Sequence, residues 1–273
     1  LAVVPAKTRP LSSLVLKLFH RDLGGRAHPP LVILHGLLGS SRNWQTAGAN
    51  LASRFHVCAL DLRNHGRSPQ ADEMTYGAMF DDVLAWLDAH GIAKVTLLGH
   101  SLGGKVAMLL ACRRPERVEQ LVVVDIAPKA YAPGAHRAEF AAMNELDLAR
   151  LSSRAEAERE MEMRVPEWAM RKFLVTNLDH DADGHWRWQI NLPGLTRALP
   201  ELESNPLASA DRYSGPALFV LGGKSRYVLA QDHETIRRPF PLARIETIAG
   251  SGHNPHMETR EEFVRLVLTA DES

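Results

Sequence analysis

The sequence contains little cysteine and no excess of charge of either sign. Its 273 residues include only Cys58 and Cys112, and both lie within apolar runs. We therefore expect two buried thiols, compatible with a reducing compartment, rather than a disulfide or a cysteine nucleophile. Lysine and arginine together number 32, as do aspartate and glutamate. Without a basic excess or a basic cluster, the sequence argues against a nucleic-acid-binding protein.

Long hydrophobic runs are also missing. No apolar run approaches the ~18 residues that a membrane-spanning helix needs. The stretch that begins at Leu1 lacks the basic-then-apolar pattern of a secretory signal. We expect a cytoplasmic protein, or a mitochondrial one if a transit peptide is absent from this sequence. The composition, 45% hydrophobic and 23% charged, is typical of a globular chain with a sizeable core.

The sequence does contain an alternation of short apolar runs and longer helical patterns. This alternation predicts an α/β fold with a mostly parallel sheet flanked by helices. The predicted helices are residues 76–90, 102–113 and 259–268. The predicted strands are residues 31–34, 55–60, 94–98, 121–124, 217–221 and 243–248, with 14–19 as an antiparallel edge strand.

The alternation breaks between about Pro128 and Asp211. The chain there becomes charged and helical in pattern over residues 138–164, and then tryptophan-rich around Trp186 and Trp188. We interpret it as a helical cap inserted after the sixth strand and lying over the carboxyl end of the sheet. The predicted division is residues 1–127 for the first part of the core, 128–211 for the cap and 212–273 for the second part.

Residues 99–104, Gly-His-Ser-Leu-Gly-Gly, match the pattern G-x-S-x-G between a predicted strand and a predicted helix. In that context a tight turn exposes the serine hydroxyl, so Ser101 is the predicted nucleophile. The amide of Leu102 at the helix start then faces a developing oxyanion. A second oxyanion donor is expected after the strand at 31–34, where Gly36 lets the amide of Leu37 turn toward Ser101.

The general base is expected near the end of the chain, after the last strand. His253 follows the glycine-rich residues 249–252, which favours it over His256 one turn later. A metal site at these two histidines is not expected, because no third ligand with suitable spacing accompanies them. No other cofactor is implied.

The acid has two candidates. The loop after the strand at 217–221 carries no carboxylate, and Ser225 or Arg226 stands where an aspartate is usual; the next acid is Asp232. Residues 121–124 instead lead directly into Asp125, beside the predicted nucleophile strand. We favour Asp125 over Asp232, because an aspartate there can hold the Nδ1 proton of His253.

Four segments carry a resemblance to a known family: residues 35–40, 61–69, 99–105 and 124–128. They resemble the bacterial YbfF-type esterases and their eukaryotic mitochondrial relatives in the α/β-hydrolase superfamily. The resemblance covers the core from about Leu31 onward and is weakest in the cap. It implies hydrolysis of carboxylic esters or thioesters by a Ser-Asp-His triad, with the acid at Asp125 and the oxyanion hole at Leu37 and Leu102.

We expect a small-molecule ester or thioester substrate whose acyl group lies between cap and core. Three other chemistries remain open on the same triad: C–C bond hydrolysis, a haloperoxidase-like reaction and acyl transfer. A ligand-binding receptor without catalysis is the alternative from another class. The candidate wall residues of the substrate pocket are His35, Leu38, Trp186, Trp188 and Tyr227.

Overall fold

The computed structural model describes residues 14–134 and 136–270 of the chain. Its nine strands are β1 His20–Asp22, β2 Pro30–Leu34, β3 His56–Leu60, β4 Val95–His100, β5 Val118–Val124, β6 Leu178–His180, β7 Trp186–Trp188, β8 Ala217–Gly222 and β9 Ala243–Ile248. Seven of them form one sheet in the order β1-β3-β2-β4-β5-β8-β9. Only the pairing of β1 with β3 is antiparallel in this sheet. The carboxyl ends of the six parallel strands therefore meet at one edge.

Helices cover both faces of this sheet, as crossover connections between parallel strands require. The helices are α1 Gln45–Leu51, α2 Tyr76–Ala89, α3 Leu102–Arg113, α4 Arg137–Glu145, α5 Arg154–Glu160, α6 Trp168–Val175, α7 Leu192–Glu203, α8 His233–Arg237, α9 Pro255–Glu258 and α10 Arg260–Leu268. One buried apolar cluster includes side chains of α2 and α3, and a second includes side chains of α1 and α10. The central strands β2, β4 and β5 are almost wholly buried, because both faces are covered.

The edge strand differs from the prediction. The antiparallel strand is His20–Asp22 rather than residues 14–19. The amides of Leu16 and Phe19 donate instead to the side chains of Asp82 and Ser68, so they take no part in a strand ladder. Within residues 14–134, five strands precede the insertion, one antiparallel and four parallel, so the expected position after the sixth strand is wrong by one.

The stretch between β5 and β8, residues 128–211, is called the cap segment below. It holds helices α4 to α7 and, in addition, a hairpin formed by β6 and β7 that the helical interpretation missed. Its strands are only three residues long, too short to give a clear alternating pattern. Residues 1–13 of the predicted first core part and 271–273 of the second lie outside the described residues. Across the described ranges, no helix combines the length and apolarity needed to cross a membrane.

Candidate active site

Ser101 lies in the turn between β4 and α3, with a backbone φ of 50° and ψ of −115°. This conformation is unfavourable for a residue with a side chain and is typical of functional turns. The flanking glycines are required by close approach. A Cβ on Gly99 would lie 2.3 Å from the carbonyl oxygen of Gly103, and one on Gly103 would lie 2.4 Å from that of Leu34. The turn therefore presents Ser101 at the carboxyl edge of the sheet.

Asp125 follows β5 directly and is fully buried, also with a positive φ of 46°. Its Oδ2 lies 2.7 Å from Nδ1 of His253, which comes from the loop after β9. Its Oδ1 accepts a hydrogen bond of 2.9 Å from the amide of Gly222 at the end of β8. The structure thus brings Asp125 and His253 together, in the arrangement that orients an imidazole for proton transfer.

Ser225 is the residue that sequence reasoning missed. Its hydroxyl donates to the same Oδ2 of Asp125 and accepts a 3.1 Å bond from the amide of Tyr227. Ser225 occupies the loop after β8 where an aspartate was sought, so its position was visible in the sequence. Its role could not be predicted, because a serine in that loop reaches the acid only when the acid follows the neighbouring strand β5.

His253 is held from two further sides. His100 Nε2 donates a 2.9 Å hydrogen bond to the backbone carbonyl of His253. The ring of Tyr227 stacks on the imidazole of His253 with centroids 3.8 Å apart. Burial, with a smaller contribution from His253, holds the pKa of His100 well below its ordinary value. His100 therefore stays neutral, so it adds no positive charge beside an imidazolium at His253.

His256 and Asp232, the alternatives to His253 and Asp125, have other partners. His256 stacks face to face on Trp44, with centroids 4.0 Å apart, and burial lowers its pKa to about 3. Asp232 forms an ion pair of 2.6 Å with Lys129. Neither rival replaces the contact between His253 and Asp125.

Leu37 and Leu102 line the same pocket as Ser101. Leu102 is the first residue of α3, where a backbone amide has no acceptor within the helix. In the loop after β2, the two amides that follow the Leu37 amide already have acceptors. Leu38 donates to His65 Nε2 at 3.2 Å, and Gly39 donates to the Gly36 carbonyl at 3.0 Å. Because Gly36 and Leu38 are bonded on either side of Leu37, the backbone of Leu37 is fixed in the loop that carries the predicted second oxyanion donor.

The pocket has a volume of ≈440 Å³, its open mouth included. It lies between the sheet edge and the cap segment. Among the candidate wall residues, Tyr227 lines it. Around Ser101 its wall is largely apolar, formed among others by Leu37, Leu102, Ile126, Leu199 and Tyr227.

The other four candidate wall residues are placed outside this lining in the described part of the chain. His35 is buried below the loop, where its Nε2 accepts from the amide of Leu62 at 3.0 Å. Leu38 packs in the core. Trp186 and Trp188 lie on β7, partly buried against the same core cluster, so the hairpin accounts for their positions.

One group of side chains in the described ranges could hold a metal ion: Asp181, Asp183 and His185 in the turn between β6 and β7. Asp183 and His185 are exposed, and Asp181 already accepts hydrogen bonds from the amides of both. These bonds account for the turn, and we assign no cation to it.

Comparison with known proteins places the chain in a family. Residues 29–259 match the α/β hydrolase fold family. This chain belongs to that family. It is 39% identical to the mouse sn-1-specific diacylglycerol lipase ABHD11, over 90% of this chain and 82% of that protein. It is 36% identical to esterase YbfF of Escherichia coli K12, over 87% of this chain and 91% of that protein.

A solved structure agrees with these relatives. A marine microorganism esterase superposes with a TM-score of 0.89 at 35% identity, covering 93% of this chain and 98% of that one. The expected resemblance to YbfF-type esterases and their eukaryotic relatives is therefore confirmed, as is the predicted fold class.

Proposed function

We propose that this chain is a serine hydrolase that cleaves carboxylic esters, and thioesters by the same chemistry, through an acyl-enzyme on Ser101. The observation that carries the proposal is the 2.7 Å contact between Asp125 and His253 at the sheet edge that also bears the strained turn of Ser101. The relatives named esterase and lipase support the same reaction class.

In the first step, His253 takes the hydroxyl proton of Ser101 as its oxygen attacks the ester carbonyl carbon. The amides of Leu37 and Leu102 bind the resulting oxyanion, each contributing about 3 kcal/mol of transition-state stabilisation. Asp125 accepts a hydrogen bond from Nδ1–H of the His253 imidazolium and stabilises its positive charge without taking the proton. His253 then protonates the leaving alcohol or thiol, and the acyl group stays on Ser101.

In the second step, water replaces the leaving group. His253 removes a proton from the water, whose oxygen attacks the acyl carbon. Collapse of the second oxyanion returns the proton to Ser101 and releases the carboxylic acid. No cofactor takes part, since each proton is exchanged between substrate, water, Ser101 and His253.

The test is turnover of p-nitrophenyl butyrate together with labelling by a fluorophosphonate, which reacts with activated serines. Wild type should hydrolyse the ester and be labelled, whereas Ser101→Ala should lose about 10⁶-fold in kcat and all labelling. Ser53→Ala, on an exposed serine bonded to the Asn50 carbonyl, is the matched control and should keep both. Labelling that survives in Ser101→Ala would refute the nucleophile. Absence of both turnover and labelling in wild type would favour a binding protein.

A further inference from the structure

The pocket beside Ser101, called the acyl pocket below, contains a buried lysine that has no part in the proposed ester hydrolysis. Lys105 lies four residues after Ser101 on α3, is 2% exposed and lines the same pocket. Its Nζ lies 3.4 Å from the carbonyl oxygen of Leu202 and 3.3 Å from that of Glu203, and it also donates to the carbonyl of Ser204. These carbonyls end helix α7, where the helix carries partial negative charge. Lys105 therefore fastens the end of a cap helix to the core.

Two tyrosines complete this contact. The hydroxyl of Tyr76 donates to the Leu202 carbonyl at 2.5 Å. The rings of Tyr76 and Tyr131 lie 5.6 Å and 4.9 Å from Lys105 Nζ. The hydroxyl of Tyr131 donates to the Tyr227 carbonyl at 3.0 Å. The hydrogens of all three groups are thus directed to backbone carbonyls, so this wall offers a ligand no ready hydrogen-bond donor.

The end of α7 also resists outward displacement from the pocket. Burial lowers the pKa of Lys105 to about 8, so the side chain remains mostly charged at pH 7. An acyl chain that pushed the end of α7 outward would separate a buried ammonium from its acceptors, which costs far more than a surface contact. A carboxylate at the end of an acyl group would find the Lys105 ammonium already bonded to three carbonyls, and Glu203, which lines the same pocket, would repel it.

We propose that Lys105 and the last turn of α7 end the acyl pocket, so that the enzyme prefers esters of short, uncharged acyl groups such as acetate and butyrate. This inference rests on the proposed ester hydrolysis at Ser101. It makes Lys105 a specificity-determining residue: the ammonium sets where the pocket stops, whereas the apolar wall nearer Ser101 receives the acyl chain.

The experiment measures kcat/KM for the p-nitrophenyl esters of acetate, butyrate, octanoate and laurate. In wild type, kcat/KM should fall at least about tenfold from butyrate to octanoate, because methylene groups that do not fit a pocket are strongly penalised. Lys105→Met removes the three donors at similar length and should raise the octanoate-to-butyrate ratio about tenfold. Tyr76→Phe removes one bond to α7 and should shift the ratio less, in the same direction.

Lys172→Met is the matched control, because this cap lysine is half exposed and pairs with Glu158; its ratio should equal that of wild type. A wild type that prefers octanoate or laurate overturns the inference, as does an unchanged ratio in both Lys105→Met and Tyr76→Phe. If Ser101 is labelled by a fluorophosphonate but none of the four esters turns over, the inference also fails. If Ser101 is not labelled and no ester reacts, the proposed function itself fails.

Discussion

The sheet edge and the cap segment hold their side chains in different ways. At the sheet edge, Ser101 and Asp125 each follow a buried strand directly and adopt positive φ, so the backbone ladder fixes their positions. The cap segment shares a buried apolar cluster with the core, and side-chain hydrogen bonds fix its position there, such as Asn177 with the Leu38 carbonyl and Lys105 with the end of α7. Substitutions at the sheet edge should therefore change rates, and substitutions at the cap contacts should change selectivity and stability.

After Ser101 itself, the largest effect is expected at the acid. Asp125→Asn keeps the size of the side chain but can place an amide N–H against Nδ1 of His253 and so favour the wrong tautomer. We expect kcat for p-nitrophenyl butyrate to fall about 10⁴-fold. Asp232→Asn, which disturbs the pair with Lys129 and the bond from the Leu229 amide but no contact to His253, should stay close to wild type. A strong loss in Asp232→Asn with an active Asp125→Asn would move the acid into the loop after β8.

A smaller loss is expected at Ser225. Ser225→Ala removes one hydrogen bond to the Asp125 carboxylate. Hydrogen bonds to charged groups contribute roughly 1.5–3 kcal/mol, so kcat should fall about 10- to 100-fold with KM nearly unchanged. Ser225→Thr retains the hydroxyl and should recover most of the rate. Equal rates in wild type and Ser225→Ala would show that Asp125 needs no second support.

His100 should have a still smaller effect through the backbone of His253. His100→Phe keeps an aromatic ring but leaves the His253 carbonyl without its donor. We expect about a tenfold loss in kcat, and partial recovery in His100→Asn, whose amide can donate. The control is His256→Phe, which keeps the stacking on Trp44. If His256→Phe loses as much activity as His100→Phe, packing rather than the hydrogen bond is responsible.

The smallest effect is expected in the pH dependence of the free energy of unfolding, to which Lys105 contributes. Its pKa of about 8 in the folded state lies below the unfolded value of about 10.4. Between these values the unfolded chain binds more protons, so the free energy of unfolding rises with pH by about 1 kcal/mol per pH unit. Urea unfolding at pH 7 to 10 should show wild type gaining stability over Lys105→Met only above about pH 8. If the difference in free energy of unfolding between wild type and Lys105→Met does not change with pH, this prediction is wrong. For Lys172→Met, the control, that difference should not change with pH.

Much of the fold and of the site could be predicted from the sequence. The parallel strands and the helices α2, α3 and α10 follow from apolar runs and helical periodicity, because both signals are local. The edge strand was misplaced because Asp82 and Ser68, distant in sequence, take the amides of residues 16 and 19. The tryptophans of β7 suggested a pocket wall, but aromatic residues also pack in hairpins, and composition does not separate the two.

The sequence by itself determined the order of the parallel strands and of helices α2, α3 and α10, the G-x-S-x-G turn and a short set of residues at strand ends. Those features depend on neighbours along the chain, and the carboxyl ends of parallel strands must share an edge. Only the tertiary structure decided which acid contacts His253, that Ser225 supports it, and that Lys105 reaches the end of α7. These contacts join residues about 100 or more positions apart, and such distances are set by packing of the sheet against the cap segment rather than by local pattern.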